Sequence, residues 1–268
     1  MTGVTRVCVF GLGEAGSLIA GDLAMLPGVE VRGYDPAGVA TPAGVLRHDD
    51  PQAAAVGADL VLGITVAADA AAALAQALDA IPRGAVYADL ATASAGLQRS
   101  LASTAAGAGL GFTDVALMSP VPGRGLRTPA LASGPSARAF IATMGPLGMP
   151  VEHAGDEPGM AATRKLLRSV VIKGLTAVVV ESMQAAEAAG LAVETWDNIT
   201  GQLAAADEGF IRRLVAGTGR HAARRVHEME AAAELLAELG VEPIMTRATA
   251  ARLHSVEAGA SSIPSLPG

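Results

Sequence analysis

The sequence predicts an α/β protein, a doubly wound parallel sheet followed by an all-helical second domain. Three observations predict it. The first half alternates short β-branched runs with helical periods. A glycine-rich loop, GLGEAG, joins the first run to the first helical period. From Pro158 onward the spacing is helical only.

The elements follow in order. RVCVF (Arg6–Phe10) reads as the first strand and SLIAGDLAML (Ser17–Leu26) as a helix stopped by Pro27-Gly28. VEVRGYD (Val29–Asp35) and DLVLGITV (Asp59–Val66) read as the second and third strands. Asp69–Ile81 has helical spacing ended by Pro82, and GAVYADL (Gly84–Leu90) is a fourth strand before an Ala-rich helix. Leu110–Met118 and Pro129–Gly134 look like further strands, and SARAFIATMGPLG like a helix. A long proline-free helical pattern runs from Pro158 to Gly190. Helices are then expected near Glu194–Ala206, Glu208–Ala216, Arg220–Leu239 and Ile244–Glu257. The expected division is residues 1–155 for the sheet domain, 156–258 for a helical substrate and dimerisation domain, and 259–268 for a flexible tail.

Composition narrows the function. Of 268 residues, 51% are apolar and 17% charged, enough for a substantial core; aromatics are only 3%, so Ala, Val and Leu must fill it. A net charge of -7, with no basic run interleaved with aromatics, speaks against nucleic acid. Cys8 is the single cysteine, a buried filler by its apolar neighbours, and the five histidines are too dispersed for a metal site. The first strand begins within a few residues of Met1, with no signal-peptide pattern, and no run of about 18 apolar residues exists. A cytoplasmic protein without a membrane segment is expected.

GLGEAG comprises Gly11, Leu12, Gly13, Glu14, Ala15 and Gly16, between a strand and a helix. The first glycine permits a tight turn, the second lets backbone approach a pyrophosphate, and the third allows close helix–strand packing, while the helix N-terminus offers N–H groups to phosphate. Asp35 ends the next strand, 19 residues after Gly16, where a carboxylate would accept the ribose hydroxyls. The pattern reads as a Rossmann dinucleotide site; an empty structural glycine turn is the alternative. Asp35 favours NAD by repelling a 2′-phosphate, whereas Arg32 and Arg47 leave NADP possible. Asp35 could instead be a turn cap in YDP. Thr65 and Val66, closing the third strand, are assigned to the cofactor with the loop.

RKLLRSVVIKGL holds every lysine in the chain, Lys165 and Lys173, against 17 arginines. Arginine is always charged, whereas a desolvated lysine can lose its proton. A lysine here that must sometimes be neutral explains the placement; chance is the alternative.

GLGEAG, DLATAS, DVALMSPVPG and GMAATRKLLRS, in that order, resemble the β-hydroxyacid dehydrogenase superfamily, which includes 3-hydroxyisobutyrate and 6-phosphogluconate dehydrogenases. The second half, with HAARRVHEMEAAAELLAELGVEP, is similar to a subgroup with a phosphogluconate-dehydrogenase-like helical domain of undefined substrate. The resemblance implies hydride transfer at an alcohol β to a carboxylate, with Lys165 as the general acid/base. Burial on an apolar helix beside Arg164 and Arg168 should lower its proton affinity toward neutrality. Ser119 matches the serine of the family's Ser-Gly-Gly substrate loop, but Pro120 and Val121 replace the glycines, so carboxylate recognition must differ, with Arg124 or Arg127 available. Thr92 matches the Ser/Thr near the nicotinamide. Ser169 replaces the family asparagine four residues after the lysine. Arg168 stands where phosphogluconate enzymes have histidine, and Ile172 where they have the glutamate acid, which counts against decarboxylation.

His221, Arg224, Arg225 and Glu228 fall on adjacent helical turns. They read either as an ion-paired solvated face or as an anion site, with His221 a substrate residue. Lys173 lies roughly 80° round the helix from Lys165 and reads as structural. The leading expectation is an NAD(P)-dependent 3-hydroxyacid dehydrogenase that forms a homodimer. The alternatives are an imine reductase, against which Lys165 argues, and a nicotinamide-binding regulatory protein without turnover.

Overall fold

A computed structural model describes residues 5–267. Of the sequence expectations, the first four residues of the sheet domain and the last of the tail fall outside that range. The described chain divides into two compact units, one through Arg168 and one from Ser169. Strand alternation ends at Gly155, but the division falls inside the long helix that follows.

The first unit holds eight strands: β1 (Thr5–Phe10), β2 (Val29–Tyr34), β3 (Val45–Arg47), β4 (Leu60–Gly63), β5 (Val86–Asp89), β6 (Gly111–Leu117), β7 (Ala130–Ser133) and β8 (Val151–Gly155). They form one sheet in the order β3-β2-β1-β4-β5-β6-β7-β8. Its helices are α1 (Glu14–Ala24), α2 (Pro51–Ala55), α3 (Ala70–Ala77), α4 (Ala95–Gly107) and α5 (Ala137–Met144). The chain runs outward from β1 through β2 to β3 and then crosses back to β4 on the other side of β1, so the order reverses between β1 and β4. Ligands bind at such a switch point, outside the carboxyl ends of the strands.

The sheet is mostly parallel, as expected; β7 alone among its described strands runs antiparallel to its neighbour β6, and β8 then pairs parallel with β7. The sheet also has two strands beyond those the sequence pattern predicts. VLR of β3 is too short to show a period, and VEHAG of β8 mixes Glu, His and Gly into its run.

Successive strand residues point to opposite faces, and both faces are covered, so the central strands are apolar without alternation. One face sets Val7, Val9, Leu62 and Val115 against Ile19 and Leu23 of α1 and Phe140 and Met144 of α5. The other sets Cys8, Phe10, Tyr87 and Phe112 against Ala54, Leu74 and Leu101 of α2, α3 and α4. Burial pushes the Cys8 thiol up to about 12, which makes it an inert filler as its context suggested.

The helix α6 (Met160–Ala188) begins in the first unit and continues into the second, where α7 (Ala192–Ala204), α8 (Glu208–Glu238) and α9 (Ile244–Glu257) follow. The two helices expected at 208–216 and 220–239 are one element with a kink, because His221 leaves helical geometry (φ -125, ψ 19). Arg225 spans the kink and donates to the Thr218 hydroxyl at 2.8 Å and the Leu214 carbonyl at 3.4 Å. These bonds tie the turn after the kink to the turns before it. Glu181 of α6 is almost fully buried and accepts from the N–H groups of Met245 (2.6 Å) and Thr246 (2.8 Å) and from the Thr246 hydroxyl (2.6 Å). It caps the free N–H groups at the start of α9. Part of the tail is tied down: Ser261 bonds to Arg252 and Ser255, and Arg212 donates to the Pro267 carbonyl. Among the described residues no helix is long and apolar enough to cross a membrane.

Candidate active site

Gly11 turns the chain out of β1 with φ +92, and a side chain there would collide with the Ile64 carbonyl of the β4 exit. A side chain at Gly16 would strike the Gly11 carbonyl, so this glycine lets α1 approach the loop. Above Gly13 there is open space, as an approaching ligand requires. Leu12 is buried in the core, Glu14 is exposed and Ala15 half-buried, so the loop presents backbone rather than side chains. A cleft of about 400 Å³ beside the loop is lined by Gly11, Gly13, Asp35, Thr65, Val66 and Gln76, among others. The Thr65 hydroxyl is buried there without a protein partner, a polar group suited to a ligand atom.

Asp35 sits at the cleft, as expected, and has a second task. One of its carboxylate oxygens accepts from the Leu12 N–H at 2.7 Å and the other from the Ala37 N–H at 2.8 Å. The turn cap is therefore also a residue that lines the cleft. The arginines expected to leave NADP open are engaged elsewhere. Arg47 donates to the carbonyls of Asp35 (2.9 Å), Ala37 (2.7 Å) and Val39 (2.6 Å), and Arg32 to Glu30 (2.8 Å) and the Val56 carbonyl (2.7 Å).

The first turns of α6 carry the next candidate residues. Lys165 is half-buried, not fully so, and its Nζ donates to Thr92 Oγ1 at 2.7 Å. Arg168 donates to the Met118 carbonyl at 2.6 Å, beside Ser119. Two residues from the dehydrogenase-like motifs of the first half thus meet the helix where the sequence placed its base. Ser169 follows Lys165 by one turn of α6. Lys173 is exposed. The Ser119 loop is braced from α1, where Asp22 accepts from the Leu126 N–H at 2.7 Å, while Arg124 and Arg127 are exposed. His221 stands in the helical unit at the α8 kink, exposed, and Arg224 pairs with Glu228 at 3.3 Å. Among the described residues no group of His, Cys, Asp or Glu is placed to hold a metal ion.

Sequence reasoning missed two buried acids. Asp89 ends β5 and Asp114 lies in register with it on β6, both essentially inaccessible. Asp89 accepts from the Gln98 amide at 2.6 Å. Burial pushes its carboxyl up to about 7, the Gln98 bond opposes this, the Asp114 charge adds to it, and the Ala91 N–H opposes it. Asp114 accepts from Ser133 Oγ (3.0 Å) and from the N–H groups of Gly159 (3.1 Å) and Ala162 (3.0 Å), while Ser133 Oγ accepts from Ala161 N–H (2.9 Å). Burial raises its carboxyl too, against the pull of these donors. The available signal was an acid interrupting each of two consecutive apolar strands, YAD and FTD.

Comparison with known proteins places this geometry in a family. Residues 186–256 match the model of a domain of unknown function, DUF1932. No curated protein matches the chain. Among solved structures, a conserved hypothetical protein from Sinorhizobium meliloti is 30% identical over 95% of this chain and 89% of its own, with a TM-score of 0.63. A conserved protein of unknown function, described as structurally similar to 3-hydroxyacid dehydrogenases, is 26% identical over 95% of this chain and 98% of its own (TM-score 0.60). An imine reductase from Streptomyces aurantiacus is 24% identical over 97% of both chains (TM-score 0.77), a likeness that speaks for the fold. The chain belongs to the β-hydroxyacid dehydrogenase superfamily, in the group whose helical part carries DUF1932.

Proposed function

We propose that the protein is an NAD-dependent oxidoreductase acting on a small 3-hydroxyacid-type substrate, with Lys165 as general acid/base. The observation that carries this reading is the 2.7 Å bond from Lys165 Nζ to Thr92 Oγ1. It holds the amine of the chain's best base candidate at the end of a β5 loop, on the carboxyl side of the sheet where ligands of this fold bind. A nicotinamide cofactor, when bound, supplies the hydride acceptor or donor. The glycine loop, Asp35, Thr65 and Val66 would hold it, since they line a cleft with open space over Gly13. In the oxidation direction neutral Lys165 takes the substrate hydroxyl proton; in reduction the ammonium returns it. Ser119, Arg168 and Ser169 would bind the substrate. Arg168 uses an N–H on the Met118 carbonyl and keeps further donors for a carboxylate. Pro120 offers no N–H, so a side-chain cation replaces backbone recognition.

NAD is the preferred cofactor, because Asp35 carries a negative charge where a 2′-phosphate would sit and Arg47 and Arg32 are committed to carbonyls and Glu30. The protein acts as a homodimer. Exposed apolar side chains on α6 and α7, including Val170, Val171, Val193 and Trp196, support a partner copy. A concentration-independent monomer in sedimentation would overturn the dimer.

The test follows absorbance of reduced nicotinamide with NAD or NADP and a panel of 3-hydroxyacids, using Lys165→Met as control. Lysine-dependent reduction of NAD is expected. Turnover of imines that survives in Lys165→Met would favour the reductase alternative. Cofactor binding without turnover of hydroxyacids, keto acids or imines would favour the regulatory one.

A further inference from the structure

The Lys165–Thr92 contact joins two segments that the rest of the first unit must hold in place. Thr92 lies on the loop between β5 and α4, and Lys165 on the second turn of α6. A hydrogen bond between a half-buried lysine and an exposed hydroxyl does not hold two such segments by itself. What stands beneath them is the buried pair, Asp89 and Asp114.

We infer that Asp89 and Asp114 are positioning residues for Lys165: Asp89 fixes the loop that carries Thr92, Asp114 fixes the first turn of the helix that carries Lys165, and the register of β5 with β6 sets the two anchors side by side. The inference rests on the reading of Lys165 as the proton-transfer residue. Three observations support it. The Asp89–Gln98 bond ties the end of β5 to the first turns of α4 and so closes the loop that contains Thr92. Asp114, directly and through Ser133, takes the N–H groups of Gly159, Ala161 and Ala162, which have no partner within the helix. Gly159 (φ +93) then lies against Ala95, the first residue of α4, so closely that a Cβ would come within 2.9 Å of its Cα. The start of α6 and the start of α4 are thus in backbone contact. Any side chain at 159 would push Thr92 and Lys165 apart.

The test uses the scarcity of lysine. Protein labelled with [13C]ε-lysine gives signals from Lys165 and Lys173 alone, and Lys173→Arg assigns them. Thr92→Val marks the signal of Lys165 without the Thr92 bond. The expected result is that Asp89→Ala moves the Lys165 signal toward that of Thr92→Val, that Asp89→Asn, which can still bond Gln98, restores it, and that Lys173 does not move. Gly159→Ala should act like Asp89→Ala. A Lys165 signal unchanged in folded Asp89→Ala overturns the inference. If that variant does not fold, Gln98→Ala is measured in its place: a moved Lys165 signal supports the inference and an unmoved one overturns it.

Turnover is measured separately. A fall in kcat of about tenfold to a hundredfold with cofactor affinity kept is expected where the signal moves. Movement of the signal in a protein that turns over no hydroxyacid would leave the positioning intact and sink the dehydrogenase reading. A fall in turnover without movement would sink the positioning.

Discussion

Lys165 Nζ and Thr92 Oγ1 lie 2.7 Å apart although 73 positions separate them in the chain. The hydroxyl accepts from the ammonium and, when the amine is neutral, can donate to it in return. Thr92 can therefore bond the amine in either protonation state. Thr92→Val, which keeps the shape and loses the hydroxyl, should lower kcat about tenfold, and Thr92→Ser should not. Lys165→Arg retains positive charge but cannot lose a proton, so turnover should fall at least about a hundredfold. Initial rates at saturating cofactor check both.

Cofactor choice follows from the second strand. The ratio of kcat/KM for NAD over NADP should exceed about tenfold, and Asp35→Ala should erase most of it by losing NAD. Activity with NADP should gain little, because Arg47 and Arg32 remain bonded to carbonyls and Glu30. A strong gain with NADP would show that one of them swings free.

Asp89 imposes a pH dependence on stability. Burial raises its carboxyl from the ordinary 3.8 to about 7. Between these values the folded chain keeps a proton that the unfolded chain has released, so stability falls as pH rises through that window and levels off above it. The loss is on the order of 4 kcal/mol. Thermal unfolding of Asp89→Asn should lack this slope and should exceed the parent near pH 8. Equal slopes in the two proteins would contradict the assignment.

Glu181 has the opposite sign. Burial alone would raise its carboxyl, but the Thr246 hydroxyl and the N–H groups of Met245 and Thr246 outweigh it and hold it below the ordinary 4.5. Its contribution is present above that value and is lost as pH falls below it. Glu181→Ala removes charged bonds from the start of α9 and should cost about 1–3 kcal/mol in denaturant unfolding near neutral pH. Below about pH 4 the difference from the parent should shrink.

The parts of this fold that are legible in the sequence are those where one residue type answers one local demand. GLGEAG is readable because close approach at Gly11 and Gly16 excludes a side chain. The lysines of α6 are readable because arginine replaces lysine everywhere else. The strand β3 is not, since three residues show no period and its pairing partner lies in β2. Thr92 and Lys165 each stand out, but through family motifs, and their contact depends on tertiary packing that no local pattern encodes. Asp89 and Asp114 escape notice because a single acid in an apolar run looks like a strand end. Arg47 reads as a possible phosphate ligand; only the path of the chain shows that three carbonyls surround it.

Arg47 has a consequence for how the cleft meets its ligand. A segment of five residues, from Asp35 to Val39, is stitched to β3 by one guanidinium and to the glycine loop by one carboxylate. Its shape does not wait for a ribose to arrive. Binding then pays little ordering entropy at this end of the cleft. Capture of the adenosine half should be fast and nearly rigid, leaving any slow adjustment to the substrate side.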